Sequence, residues 1–422
     1  MEEIVIKGGQ RLRGTVKVSG AKNSALPILA ASLLSSETSV IENVPHLRDI
    51  NTMVKILKSL GVKVHFDKNK IVVNPGYFKS YEAPYKLVST MRASICVLGP
   101  LLARLGKARV SLPGGCVIGL RPIDLHLKGL AALGADIDIR HGYIIAKAKK
   151  LSGSDNIYLG GHFGSSVLAT TNVMMAATLA RGRTVIEDAA CEPEVGDLAN
   201  FLNKMGAKIK GAGSHMIIIE GVKSLKGARH TVIPDRIETG TYIIAAAITG
   251  GDIKIINTRL GFVNAVVDRL KQADVEISKL NNGIRVRVRG PLRPVDITTL
   301  PYPGFPTDMQ AQAVALMSIT NGISVITEKV FPTRFLHVSE LNRMGSNIYL
   351  EGSSAIISGV KKLSGASVMA SDLRASAALI LAGLVAKGET VVSRIYHLDR
   401  GYEKIEAKLQ ALGAKIKRVK SK

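Results

Sequence analysis

Leu60-Gly61-Val62-Lys63-Val64 is the stretch from which the fold can be read, because it returns along the chain. LGADI stands at 133–137, MGAKI at 205–209, MGSNI at 344–348 and LGAKI at 412–416, and ADVEI at 273–277 is a degenerate copy. The second positions of the six copies, 61, 134, 206, 274, 345 and 413, lie 68 to 73 residues apart. A fixed period of this length marks a repeated supersecondary unit, and six units of about 70 residues fill the 422-residue chain.

Working outward from each copy, the same order of elements recurs. An Ala- and Leu-rich helix comes first, at 25–34, 92–105, 167–180, 238–249, 309–320 and 373–386. Gly or Ser ends it, and a β-branched strand follows, such as SVIE at 39–42, TVIE at 184–187 or TVVS at 390–393. A second, amphipathic helix, such as 50–60, leads into the strand carrying the repeated pentapeptide, and a further strand such as IVVN at 71–74 closes the unit. The first helices are apolar nearly all round and belong inside; the second carry Lys and Asp on one face and belong outside. The expectation is an α/β fold with buried helices and sheets around them. Six units exceed one core, so they divide three and three, with a break near Pro234. The N-terminal strand, within 1–17, has no unit of its own and is free to complete the strand-poor last one.

Composition narrows the function. Apolar residues make up 46% and charged residues 21%, which is globular. The net charge of +24 invites a nucleic-acid partner, yet the chain has no Trp, only 4% aromatics, and bases spread along its length apart from the tail KIKRVKSK at 415–422. An enzyme for anionic small molecules and a basic repeat protein binding nucleic acid both fit so far. Three cysteines, Cys96, Cys116 and Cys191, make no disulfide framework and point to a reducing compartment. The start MEEIVIKGGQ is not a signal peptide, and the apolar runs at 25–34 and 377–386 are too short for a bilayer. A cytoplasmic protein is expected.

The inner helices begin with polar residues: Lys22-Asn23-Ser24, Arg92, Ser165-Ser166, Asp235-Arg236, Thr307-Asp308 and Asp372-Leu373-Arg374. Helix N-termini attract anions, and Lys22, Arg92, Arg236 and Arg374 would add full charges. Capping is the competing explanation for Ser24, Thr307 and Ser371. Leu112-Pro113-Gly114-Gly115-Cys116, followed by Arg121-Pro122, reads as a shaped, mobile loop in which a nearby cation could activate the thiol. Cys96, inside an apolar helix, reads as core. Asp308, at a helix start after two prolines, is a candidate ionised base. No HExxH or CxxC spacing suggests a metal, and neither GxxxxGK[ST] nor GxGxxG occurs.

Five blocks carry a resemblance: Ser19-Gly20-Ala21-Lys22-Asn23-Ser24-Ala25, Leu112-Pro113-Gly114-Gly115-Cys116, Pro234-Asp235-Arg236-Ile237-Glu238-Thr239-Gly240, Phe305-Pro306-Thr307-Asp308-Met309-Gln310 and Asp399-Arg400-Gly401-Tyr402. Together, and across the whole chain, they resemble the UDP-N-acetylglucosamine 1-carboxyvinyltransferase family. The resemblance implies a two-domain inside-out α/β barrel of six βαβαββ-type units. It puts 22–233 in the first domain, with a mobile Cys loop at about 112–122, and 1–21 with 234–422 in the second, the active site lying in the cleft between them. It implies transfer of the enolpyruvyl group of phosphoenolpyruvate to the sugar 3-hydroxyl by addition and elimination, with release of phosphate and without cofactor or metal, opening peptidoglycan precursor synthesis. Lys22, Arg121 and Arg400 would hold phosphoenolpyruvate, with Asn23, Arg92 and Asp372 beside them. Asp308 would take the hydroxyl proton, and Cys116 would protonate the methylene carbon or form an adduct. Asn23, Arg92, Arg121, Asp124, Leu125, Ser166, Val167, Asp308 and Val330 would hold the nucleotide sugar. Leu168, Gly164 and Pro332 depart from the family pattern on the uridine and diphosphate sides. A second enzyme reading is 5-enolpyruvylshikimate-3-phosphate synthase, whose Gly-Asn-Ala-Gly-Thr loop is missing here while the Gly-Gly-Cys loop is present.

Overall fold

The computed structural model describes residues 2–76, 78–114 and 123–420. It resolves what the repeated pentapeptide is. In all six copies the second residue has a positive φ: +94° at Gly61, +89° at Gly134, +104° at Gly206, +87° at Gly345, +97° at Gly413 and +66° at Asp274. Its N–H donates to the carbonyl three residues back, and the next N–H donates five residues back, as Gly61 to Lys58 and Val62 to Leu57, or Asp274 to Lys271 and Val275 to Leu270. That pair of bonds is the Schellman stop of an α-helix. Glycine serves there because a Cβ is disfavoured in the left-handed region, and Asp is among the few residues that tolerate it. The LG pair is thus the turn that ends each outer helix, and the strand, expected to include it, starts two residues later, as in Lys63–Asp67 or Asn347–Glu351.

The described residues form two compact units, one within 20–233, the other made of 2–19 and 234–420. Each has its own apolar core and three four-stranded sheets. In the first unit the sheet Arg229–Thr231, Ser39–Glu42, Lys70–Asn74, Lys63–Asp67 sets the pattern. A short edge strand runs parallel to the strand after the inner helix, and the two remaining strands are antiparallel. Glu82–Ala83 and Ile157–Tyr158 are the parallel edges of the other two sheets.

The N-terminal segment is two strands rather than one. Glu2–Lys7 enters the last sheet between Glu389–Ser393 and Lys415–Lys420, antiparallel to both. Arg13–Lys17 runs parallel to Asp252–Ile256 in the fourth. Edge strands of two or three residues show no readable alternation, which is why the sequence pattern omits them.

The inner helices are buried. All of Lys22–Ala31 except Asn23, all of Arg236–Ile248 except Arg236, and all of Leu373–Gly383 except Leu373 are inside. The strands alternate, as in Met216–Glu220, so each sheet covers the helices with one face and meets water with the other. No helix among the described residues is long and apolar enough to cross a membrane.

Candidate active site

In the Gly20–Ile233 unit, Lys22 opens the first inner helix. Ala21 in the N-cap position offers no side-chain bond, and Ser24, weighed as a cap, turns inward to donate to Asp197 instead. The Lys22 ammonium lies 3.1 Å from Asp49, a buried carboxylate in the first turn of Arg48–Ser59. Asn23 is half-buried beside it. Arg92 opens the 3-10 turn Arg92–Val97. Ser166 caps Val167–Ala177, accepting from the Ala169 N–H, so its hydroxyl proton is still available to donate. Asp124 is exposed at the start of Asp124–Ala132, where the helix dipole favours an acid, and Leu125 is half-buried next to it. Cys116 and Arg121 lie outside the described residues, as does most of the 112–122 loop.

Three of these elements, Arg92–Val97, Asp124–Ala132 and Val167–Ala177, are tied together from behind. Asn172, buried on Val167–Ala177, accepts the Gly99 N–H, donates to the Ile95 carbonyl, and sits 3.1 Å from Nδ1 of buried His126. Burial, helped by the Arg92 charge, holds His126 down to about 3. Burial, set against Asp372 and aided by Arg334, holds His337 of the other unit down to about 4. Both imidazoles are therefore neutral in the fold and charge on unfolding in mild acid. A lowered folded pKa gives stability that is full above the unfolded value, about 6.5, and is lost as pH falls toward the folded one. Urea stability should fall between pH 6.5 and pH 4. His126→Asn should flatten that fall by about 1.4 kcal/mol per pH unit; an unchanged slope would show that His126 is already charged in the folded state.

In the other unit, Asp308 occupies the 3-10 turn Thr307–Met309 that starts the Gln310–Met317 helix. It caps nothing. One carboxylate oxygen lies 2.9 Å from Arg334 and the other 2.9 Å from Arg374. Burial would raise its pKa, but the two guanidiniums hold it well below the usual carboxylate range. Arg374 is pushed up in return: burial opposes its charge and Asp308 more than offsets that. The cation at the Leu373–Gly383 helix start is thus a buried partner of Asp308, not an open charge. Asp372 is that helix's N-cap, accepting the N–H groups of Arg374 and Ala375.

Glu328, fully buried, organises the adjoining loop. It accepts from Thr299, from Thr307, and from the backbone N–H groups of Val330 and Phe331. Val330 is therefore fixed to the same carboxylate as the turn carrying Asp308. Thr307 also accepts from Arg334 and, like Ser24, is no cap. Arg400 is half-buried in the Leu398–Arg400 turn. Between the inner helices, Thr241, Gln312 and Tyr402 share hydrogen bonds of 2.8 to 3.2 Å, and Arg374 lies 5.5 Å over the Tyr402 ring. Asp49, Glu328 and Arg334 were not among the sequence candidates. Each acts across a long sequence separation, and Arg334 sits in a Pro332-Thr333-Arg334 stretch without periodicity.

A repeated α/β fold with cations and one clamped carboxylate at buried helix starts suits group transfer between anionic substrates. Over residues 6–409 the chain matches the family described as EPSP synthase (3-phosphoshikimate 1-carboxyvinyltransferase), and it belongs to that family. Within it, the full-length relatives carry a more particular name. The chain is 58% identical to UDP-N-acetylglucosamine 1-carboxyvinyltransferase 1 of Caldanaerobacter subterraneus subsp. tengcongensis, over 99% of each chain. It is 58% identical to UDP-N-acetylglucosamine 1-carboxyvinyltransferase of Geobacter metallireducens, over 100% of each. Among solved structures, the enolpyruvyl transferase NikO from Streptomyces tendae superposes with a TM-score of 0.89 at 26% identity, covering 100% of this chain and 99% of that one. EPSP synthase from Acinetobacter baumannii, at 17% identity and a TM-score of 0.77 over 100% of both chains, shares the fold.

Proposed function

We propose that this chain transfers the enolpyruvyl group of phosphoenolpyruvate to the 3-hydroxyl of UDP-N-acetylglucosamine and releases phosphate, in the cytoplasm, as the entry to peptidoglycan precursors. The observation that carries this reading is the 58% identity, over essentially the whole chain, to relatives bearing that name.

The chemistry proposed is addition followed by elimination. The sugar oxygen bonds to C2 of phosphoenolpyruvate as the methylene carbon takes a proton. The C2–O bond to phosphate then breaks, the methyl carbon returns a proton, and the enol ether forms. Lys22, Arg121 and Arg400 neutralise phosphate and carboxylate, with Arg92 assisting, and guanidinium forks suit both groups. Cys116 is the thiol that protonates the methylene carbon or forms a covalent adduct. Asn23 contacts the sugar, while Asp124, Leu125, Ser166, Val167 and Val330 bound the nucleotide.

Asp308 is the proposed acceptor of the hydroxyl proton. Clamped by Arg334 and Arg374, it is ionised at every physiological pH but is a weak base. Anionic substrates offer those guanidiniums a competing partner. As one of them turns away, the proton affinity of Asp308 rises at the moment a base is needed. Phosphate release from phosphoenolpyruvate that depends on UDP-N-acetylglucosamine is the measurement that tests the reading.

A further inference from the structure

Asp197 has no place in the reaction described above, yet it is among the most fully engaged carboxylates of its unit. It lies on the Pro193–Lys204 helix, 3% exposed. One oxygen accepts from the Ser24 hydroxyl and, at 3.2 Å, from the Ile233 N–H. The other is 2.9 Å from Nε2 of His230, a buried imidazole on the closing strand Arg229–Thr231. Nδ1 of His230 lies 3.4 Å from the Lys204 ammonium, which can only donate. The ring proton therefore sits on Nε2 and points at Asp197.

A serine, an aspartate and a histidine in contact suggest a nucleophile, but the order is wrong for one. The carboxylate stands between the other two, so the imidazole never reaches the Ser24 hydroxyl and cannot activate it. What the cluster does is mechanical. Ser24 follows Lys22 and Asn23 by two residues and one. The Ala21 N–H donates to the Ile233 carbonyl at 2.7 Å, so Ile233 runs beside the N-cap residue that precedes Lys22. A single buried carboxylate thus grips both chain segments that meet where Lys22 and Asn23 emerge, and His230 and Lys204 hold that carboxylate from behind.

We propose that Asp197 is the positioning residue of the phosphoenolpyruvate half-site, setting the direction of Lys22 and Asn23 through Ser24 and Ile233. The proposal rests on the reading of Lys22 as a phosphoenolpyruvate ligand. Asparagine at 197 keeps the volume, but its NH2 cannot accept, so at least one of the three donors is left facing another donor.

The test is a double-mutant cycle of Asp197→Asn and Lys22→Ala, read as kcat/KM for phosphoenolpyruvate on folded protein. Asp197→Asn alone should lower it by about 10- to 100-fold, the scale of a small misplacement of a binding group. In the Lys22→Ala background most of that loss should vanish, because little remains to be aimed. Ser24→Ala removes a single donor and carries the same cycle with a smaller loss, should Asp197→Asn not fold. An equal loss in both backgrounds would reduce Asp197 to a general fold support and overturn the proposal, as would no loss in the wild-type background. If Lys22→Ala itself leaves kcat/KM unchanged, the role of Lys22 falls first and Asp197 has nothing to position.

Discussion

Asp308→Ala is expected to lower turnover by about 10³-fold, within the range typical of losing a general base, while UDP-N-acetylglucosamine still binds. Two effects add in this variant. The proton acceptor is lost, and Arg334 and Arg374, whose side chains are 6% and 4% exposed, lose the anion between them. Breaking a buried pair costs about 3–5 kcal/mol, because the remaining charge stays desolvated. Asp308→Asn separates the two effects in part, since it keeps the volume and one acceptor oxygen. It should lose turnover to a similar degree and less stability, read by urea unfolding. The carboxylate's folded pKa is depressed, so its stabilisation is full above the unfolded value of about 3.9 and is lost only as pH falls through the folded one. Assays near neutrality therefore compare the variants on level terms. Near-normal kcat in both would move the base elsewhere.

Fosfomycin, an electrophilic mimic of phosphoenolpyruvate, is expected to modify one thiol per chain, at Cys116, and to abolish turnover in step with labelling. The other two cysteines are poor candidates for physical reasons. Cys96 is fully buried, and burial pushes its thiol up to about 12, so only about one part in 10⁵ is thiolate at pH 7. Cys191 is also buried, and burial, with the carboxylates of Glu192 and Asp188, raises its thiol too. Mass spectrometry of the peptides decides the matter. Label on Cys96 or Cys191 with Cys116 untouched would remove Cys116 from the mechanism.

Much of the fold was legible because it is written six times. A Schellman stop needs a left-handed residue at one position, and that local demand surfaces every 68 to 73 residues as a glycine or, once, as Asp274. The buried helices were legible from their unbroken apolar faces. The parallel edge strands were not: Glu82–Ala83 and Ile157–Tyr158 are two residues each and are defined by pairing, not by pattern.

The candidate site divides the same way. Lys22 and Asp308 stand out as polar residues at the heads of apolar helices. Their partners do not, because Asp49 with Lys22, Arg334 and Arg374 with Asp308, and Asp197 with Ser24 meet only through the fold. Arg374 shows the limit plainly. By position it reads as a charge waiting for a substrate, and in the folded chain it already holds Asp308.

Transfer to the nucleotide sugar is tested most directly by phosphate release from phosphoenolpyruvate, with UDP-N-acetylglucosamine and shikimate-3-phosphate supplied separately. Release with the nucleotide sugar alone, matched by an enolpyruvyl product on its 3-hydroxyl, is the predicted result. Release with shikimate-3-phosphate and none with the nucleotide sugar would contradict it.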